Sequence, residues 1–442
     1  MSNYKVEFTL KQHTPIIHFQ SDQSGATLRA TELKPKFDRF LKKYAFDGNV
    51  PDELKIDKSN DALDYKVKIN IKNLHKEPIT PKILKMNKGT NKEEIKEDNF
   101  PCFFATMGKE WKKSPKYFSY AEGITVSIVS MNDTLDNKLI KQIKNYFPRF
   151  IFETNFGTRQ SKGFGSFSVI KVDNKTFNYQ DLKYQSFEVD VEKIDKKIFP
   201  YVKYENEPSN EFKVQKKLFT VIDIFYKTIR SGINLRGQFY FKSLLFLYAK
   251  KEGIQWDKKT LKHKFVSEKD LEEQRKKHNF PDVLDKNNLA KDNPLLVRDL
   301  LGLATTQEWR LSYKFRVRHP KKEDKYYQEN DILRMKSPIL FKPIKITDTK
   351  FEIYIILNEI NENIFNKKIK VLKTKDIGKG RDKREIIDQD LDFRFWNDFD
   401  LEKYFHFITY KVELDKHIAK DFIKHPYSHL IREIYKDLKA NK

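Results

Sequence analysis

The feature that most constrains this chain is the way its apolar period switches along the first 172 residues. Tyr4, Val6, Phe8 and Leu10 alternate with Lys5, Glu7, Thr9 and Lys11, the period-two signature of a half-buried strand. Beyond a polar loop, Phe37, Phe40, Leu41 and Tyr44 recur at i, i+3, i+4 and i+7, which predicts a helix with Pro35 at its first position. Tyr65, Val67, Ile69 and Ile71 alternate again, as do Ile124, Val126 and Ile128. Leu135, Leu139, Ile140, Ile143 and Phe147 then make a second helical stripe, with Asp133 or Thr134 as its cap and Pro148 ending it. Phe167 and Val169 open a last strand. The order β-α-β-β-α-β is that of a ferredoxin-like, RRM-like unit, a four-stranded sheet backed by two helices.

Residues 173–212 show no sustained helical period and read as a connecting region. A helix follows, carrying Val214, Leu218, Val221, Ile222, Phe225 and Ile229. Phe241, Leu244, Leu245, Tyr248 and Ala249 then repeat the spacing of Phe37, Phe40, Leu41, Tyr44 and Ala45. The expected fold is therefore α+β, two ferredoxin-like domains in tandem. The first spans residues 1–172; the second, 213–442, is degenerate and elaborated with extra helices.

Glycine is scarce, 14 in 442 residues, so a nine-residue window should hold about 0.3 of them. The window Gly157–Gly165 holds three, with Arg159 and Lys162 between them and Phe164 between the last pair. Glycines let backbone N–H groups approach an anion, and two cations beside them suit a phosphodiester. Neither a P-loop nor a dinucleotide fingerprint has this spacing. The competing reading is a tight helix-to-strand turn that needs positive φ.

A Gly-rich loop between the second helix and last strand of such a unit resembles the RAMP superfamily of CRISPR-associated proteins. Asn155 stands where the fuller family motif has its first glycine, and Pro35 where the family's helix start usually has one. Chain length, the apparent duplication and the string RMKSPILFKPI are most similar to the tandem-domain head subunit of Cmr (type III-B) effectors. The resemblance implies a non-catalytic, cytoplasmic RNA-binding subunit of an antiviral ribonucleoprotein. Its implied partners are crRNA, target RNA and the other subunits of a Cmr-type complex. No small-molecule cofactor and no membrane partner are implied. The RNA-binding candidates are Thr27, Arg29, Lys34, Lys36, Arg39, Lys42 and Lys43 around the first helix, Gly157, Arg159, Lys162, Gly163, Phe164 and Gly165 in the loop, and Arg236 and Lys242 in the second half.

Charge agrees with that expectation. Lys and Arg total 87 against 63 Asp and Glu, a net +24, which favours a polyanionic partner unless it reflects compositional drift. Residues 367–384 hold nine Lys or Arg against two Asp, as either a solvated loop or an electrostatic arm. The single cysteine, Cys102, excludes a disulfide framework, and the N-terminus lacks the apolar run of a signal peptide. No HExxH, His-Asp or GGDD string occurs, so no metal site is expected. His13 and His18 leave one alternative open, a metal-independent crRNA-processing endoribonuclease with histidine as acid or base. A translation-associated RNA-binding protein that shares the fold is a third reading.

Overall fold

The computed structural model describes residues 4–18, 27–57, 60–87, 89–97, 117–131, 138–180, 183–199, 201–235, 238–267, 269, 272, 295–303, 308–309, 311, 315–322, 324, 327, 332, 334–377, 384–418 and 422–440. The chain is α+β with several antiparallel sheets. It divides into two compact units: Met1–Ile224 with Leu340–Ile356 and His429–Lys442, and Phe225–Ile339 with Leu357–Ser428. The division falls inside a helix, Asn210–Arg230, which carries the 213 boundary expected from the sequence.

The first unit is built on β1 (Lys5–Gln12), α1 (Ala30–Tyr44), β2 (Lys66–Asn70), β3 (Ile124–Val129), α2 (Lys138–Glu153) and β4 (Phe167–Val172). β4 pairs with β1, β1 with β3 and β3 with β2, all antiparallel, with the short strand Lys175–Thr176 beyond β4. Crossing from β1 to β2 by way of a helix leaves a gap that β3 fills, the split βαβ arrangement that the changing periods predicted. One face of this sheet buries Val6, Phe8, Leu10, Ile124, Val126 and Ile128 under α1 and α2. Phe8 stacks on Phe147 at 4.2 Å, and Phe37 meets Phe147 edge-on at 5.1 Å. Each such ring contributes about 1.5–3 kcal/mol by burial alone, which fixes both helices to the sheet.

Both helix boundaries set by proline are corrected. Pro35 sits inside α1, not at its first position, and Pro148 sits inside α2, not at its end. A helical proline loses one hydrogen bond, and packing on either side outweighs that loss. α1 begins early enough to bury Leu33, and α2 continues because Phe150, Ile151 and Phe152 are buried beyond the proline. Asp133, Thr134 and Leu135 lie outside the described residues.

Residues 173–212 are not a bare connector. They contain β5 (Gln185–Asp190), which pairs antiparallel with β7 (Lys350–Leu357), itself beside β6 (Ile339–Lys345). Phe152, Leu340 and Ile356 make a second small core there, with Tyr184 and Tyr354 against it. Asn210–Arg230 is designated α3.

In the second unit β8 (Ile369–Ile377) and β9 (Arg384–Phe395) form a long antiparallel hairpin, flanked by Leu295–Leu296 beside β9 and Arg316–Arg318 beside β8. Its sheet order differs from that of the first unit. Among the described residues, no helix is long and apolar enough to cross a membrane.

Candidate nucleic-acid interface

Three segments of the first unit converge on the Gly-rich loop. Glu32 Oε1, on the first turn of α1, accepts from the Gly157 amide (3.0 Å), from Gln160 Nε2 (3.2 Å) and from Lys36 Nζ (2.7 Å). The Thr158 amide donates to the Ile17 carbonyl (2.8 Å), and His18 Nε2 donates to the Thr27 carbonyl (2.6 Å). Burial lowers the His18 pKa, against the opposing pull of Glu32. The loop, the segment after β1 and the start of α1 are thus one assembly, which brings His18, Thr27, Arg29, Lys36 and Arg159 together.

The glycines are needed for close approach, and this corrects the expectation of open amides. Gly163 and Gly165 are buried at φ 90° and 65°. Their N–H groups already donate to the carbonyls of Gln160 (3.1 Å) and Pro15 (2.9 Å). A Cβ on Gly165 would lie 2.0 Å from the Phe156 carbonyl oxygen, and one on Gly163 would lie 2.8 Å from the Pro343 ring. Phe164, between them, is fully buried and stacks on Phe219 at 3.7 Å, so its ring is not presented to a base. Arg159 holds a left-handed conformation, φ 60°, and is half-buried; Lys162 is half-buried as well, with its Nζ turned away from solvent.

A side chain that the sequence reading passed over explains why the loop is so firmly held. Lys342, from the string ILFKPI, is fully buried and donates to the carbonyls of Ile151 (2.7 Å) and Thr154 (3.0 Å) at the end of α2. Burial drives its pKa well down, while the orphan carbonyls of a helix end are where a cation gains most. Asn155, the residue in place of a glycine, donates to the carbonyls of Gln160 and Phe341, both at 2.8 Å. Ser166 Oγ donates to the Pro343 carbonyl (2.7 Å). β6 therefore buttresses the loop from 180 residues away in sequence. The only local hint was a Lys flanked by apolar residues.

His13 belongs to that buttress. It is 3% exposed; its Nδ1 accepts from the Lys345 amide (3.0 Å), which assigns the proton to Nε2, the nitrogen 2.8 Å from Ser168 Oγ. Burial, then the charge of Lys342, lowers its pKa well below that of free histidine.

The basic residues of α1 divide. Lys34 is held by Asp38 (2.9 Å) and the Leu63 carbonyl, above the Tyr65 ring at 4.0 Å. Lys36 is held by Glu32, above the Phe156 ring. Arg39 and Lys43 are exposed one turn apart, with Lys42 half-buried beside them. In the second unit Lys242 is exposed with its ammonium over the Phe246 ring, and Arg236 lies outside the described residues. Among the described residues, no group of three or more His, Cys, Asp or Glu is placed to hold a metal ion.

Comparison with known families decides the identity. The Cmr1 N-terminal domain matches residues 3–233, and the Cmr1 C-terminal domain matches residues 240–437. The chain belongs to the Cmr1 family. It is a Cmr-type RAMP protein of the type III-B CRISPR class, as the loop and its position indicated. No curated protein matches the chain. Among solved structures it is similar to a chain of the type III-B Cmr-beta complex bound to cognate target RNA and AMPPnP, in the presence of ssDNA. That likeness is 11% identical, covers 81% of this chain and 95% of the other, and has a TM-score of 0.31.

Proposed function

We propose that this Cmr1-family chain is a non-catalytic RNA-binding subunit of a crRNA-guided type III-B effector. In this reading it contacts the backbone of crRNA or target RNA, and the other subunits of the effector are its protein partners. The observation that carries the reading is the match of both halves of the chain to the paired Cmr1 domains. Base pairing reads sequence in guided systems, so the protein's task is to hold backbone and shape, a task that suits a net charge of +24. Within the first unit the contact set is Arg29, Arg39, Lys42, Lys43, Arg159 and Lys162. Lys36 and the glycines support them by holding α1 to the loop, and Lys34 by tying α1 to the Leu63 carbonyl. The second unit is read as a diverged copy of the first; the five residues that echo α1, Phe241, Leu244, Leu245, Tyr248 and Ala249, are all buried.

The test is RNA affinity of the full chain by filter binding. Arg159→Ala should weaken binding by about 1 kcal/mol, about fivefold, at an unchanged melting temperature, and Lys162→Ala, which also removes a buried ammonium, should weaken it as much. Gly165→Ala should lower the melting temperature as well, because its Cβ has no room. RNA should not be turned over, with or without Mg²⁺. Cleavage abolished by His18→Ala would replace this reading by the endoribonuclease, whereas unchanged affinity in the Arg159/Lys162 double variant would make the loop a turn only.

A further inference from the structure

The face of the first-unit sheet turned away from α1 and α2 is mostly polar, with Val129 an apolar exception in its rows. Register places Lys171, Thr9, Thr125 and Asn70 in one row across four strands. Glu7, Ser127 and Lys68 form the next row, and Lys5, Val129 and Lys66 the one after. Lys11 pairs with Ser168 at the other end. Cross-strand partners share a face, so these side chains project together. The face is concave toward β2 and β3, with a volume of 390 Å³ lined by Lys5, Glu7, Lys66, Lys68, Asn70 and Ser127 among others.

Its charge is uncompensated. The only carboxylate in these rows, Glu7, is already engaged by Lys5 at 3.3 Å and by Ser127 Oγ at 3.0 Å. Lys11, Lys66, Lys68 and Lys171 are all exposed, and among the described residues none of them makes an ion pair. Protection of an open sheet edge accounts for Lys66 and Lys68, since β2 is the edge strand. It does not account for Lys11, which lies on central β1, or for Lys171, whose strand is flanked on both sides. Nor does any residue of these rows carry an aromatic ring on which a base could stack.

We propose that this face binds single-stranded RNA through its phosphates, independently of sequence, as a second contact surface distinct from the Gly-rich loop. Alternate residues along a strand stand roughly 6.8 Å apart, so Lys66 and Lys68 present two cations in line, with Thr9, Thr125 and Asn70 as neutral donors between the lysines. The absence of stacking rings and the excess of cations favour a backbone track over base readout. This inference rests on the RNA-binding reading of the chain, and the experiment separates the two.

The full chain is titrated with a labelled oligouridylate over a range of salt. Lys11→Gln/Lys66→Gln/Lys68→Gln/Lys171→Gln should weaken binding about tenfold or more and flatten the log–log salt slope by about 2.8, four contacts at about 0.7 each. Its thermal melt should be unchanged, because all four side chains are exposed. The four corresponding Lys→Arg changes should retain both affinity and slope. Unchanged affinity and slope in the Gln variant, with loss in Arg159→Ala/Lys162→Ala, would overturn the sheet-face proposal and leave the loop reading intact. Self-association of the Gln variant with full RNA affinity would make the lysines edge guards, and loss of a partner subunit alone would make the face a protein contact; each overturns the proposal. A wild-type chain that does not bind the oligonucleotide would overturn both readings.

Discussion

Two sheets in this molecule carry rows of lysines and treat them in opposite ways. On the outer face of the first-unit sheet, four exposed lysines share their rows with one carboxylate that is already occupied. On the β8–β9 hairpin of the second unit, the lysines are matched from the neighbouring strand. Lys370 meets Asp390 at 3.1 Å and Asp392 at 3.2 Å, and Asp388 takes both Lys373 (3.3 Å) and Lys375 (3.0 Å). Read linearly, residues 367–384 are the most basic stretch of the chain; folded, much of that charge is cancelled by residues 388–392. The lesson is that a field belongs to a surface, and cross-strand register decides which charges share one.

The largest effect that tests this contrast lies at the loop end of the hairpin, where Asp376 pairs across the strands with Glu385 and matching is obligatory for stability. Arg318 is 2% exposed and is gripped by Asp324 (2.6 Å) and Glu385 (3.0 Å). Glu385→Ala removes one of the two acids and should cost about 2 kcal/mol, the scale of a hydrogen bond to a charged group. Urea unfolding should show it, whereas the four Lys→Gln changes on the sheet face leave the unfolding midpoint in place. Equal midpoints for Glu385→Ala and wild type would dissolve the distinction between a structural and a free set of charges.

Acid should act on the same group. Burial works to raise the Glu385 pKa, but hydrogen bonds from Arg318, Thr374 and Lys321 outweigh it and hold it at about 2. A depressed folded-state pKa stabilises above the unfolded value, about 4.3, and that contribution is lost as pH falls toward 2. Stability of the wild type should therefore decline across that window, and Glu385→Gln should decline less. Parallel declines would show that other carboxylates govern the acid limb.

How much of this was legible in the sequence follows from the range of the interactions. The elements of the first unit were readable, because periods of two and 3.6 are local and the cores of β1, α1, β3 and α2 obey them. The two prolines were misjudged because tertiary burial, at Leu33 and at Phe150–Phe152, overrode a local stop signal. The Gly-rich loop was found by its rarity and its place, which was enough to indicate the family. Its physical role was not readable: whether Gly163 faces a phosphate or Pro343 depends on β6, which arrives from 180 residues downstream. Lys342 and Glu32 were passed over, and Asn155 was noted only as a departure from the family motif, for the same reason, since a buried lysine or asparagine has no periodic signature. The charge of 367–384 was misleading because its partners lay just past the window.

The smallest effect is also the most direct probe of the contrast. If matching is what keeps the hairpin from attracting polyanions, removing its acids should create attraction. Asp388→Asn, Asp390→Asn and Asp392→Asn together leave Lys370, Lys373 and Lys375 without their cross-strand acids while preserving side-chain size. These pairs are only partly exposed, the acids more than Lys370 and Lys373, so the stability cost should be about 1 kcal/mol per pair. Oligouridylate affinity at low salt should rise a few fold and the salt slope should steepen, by about 0.7 for each lysine that gains a phosphate. The gain should vanish near 1 M salt, where the screening length is about 3 Å. An affinity that does not move would mean that lysines on a strand bind RNA only where a surface is also shaped for it, as the concave face of the first unit is. An equal gain on adding Lys to any exposed strand would mean that net charge alone governs binding, and the distinction between the two sheets would then have no functional content.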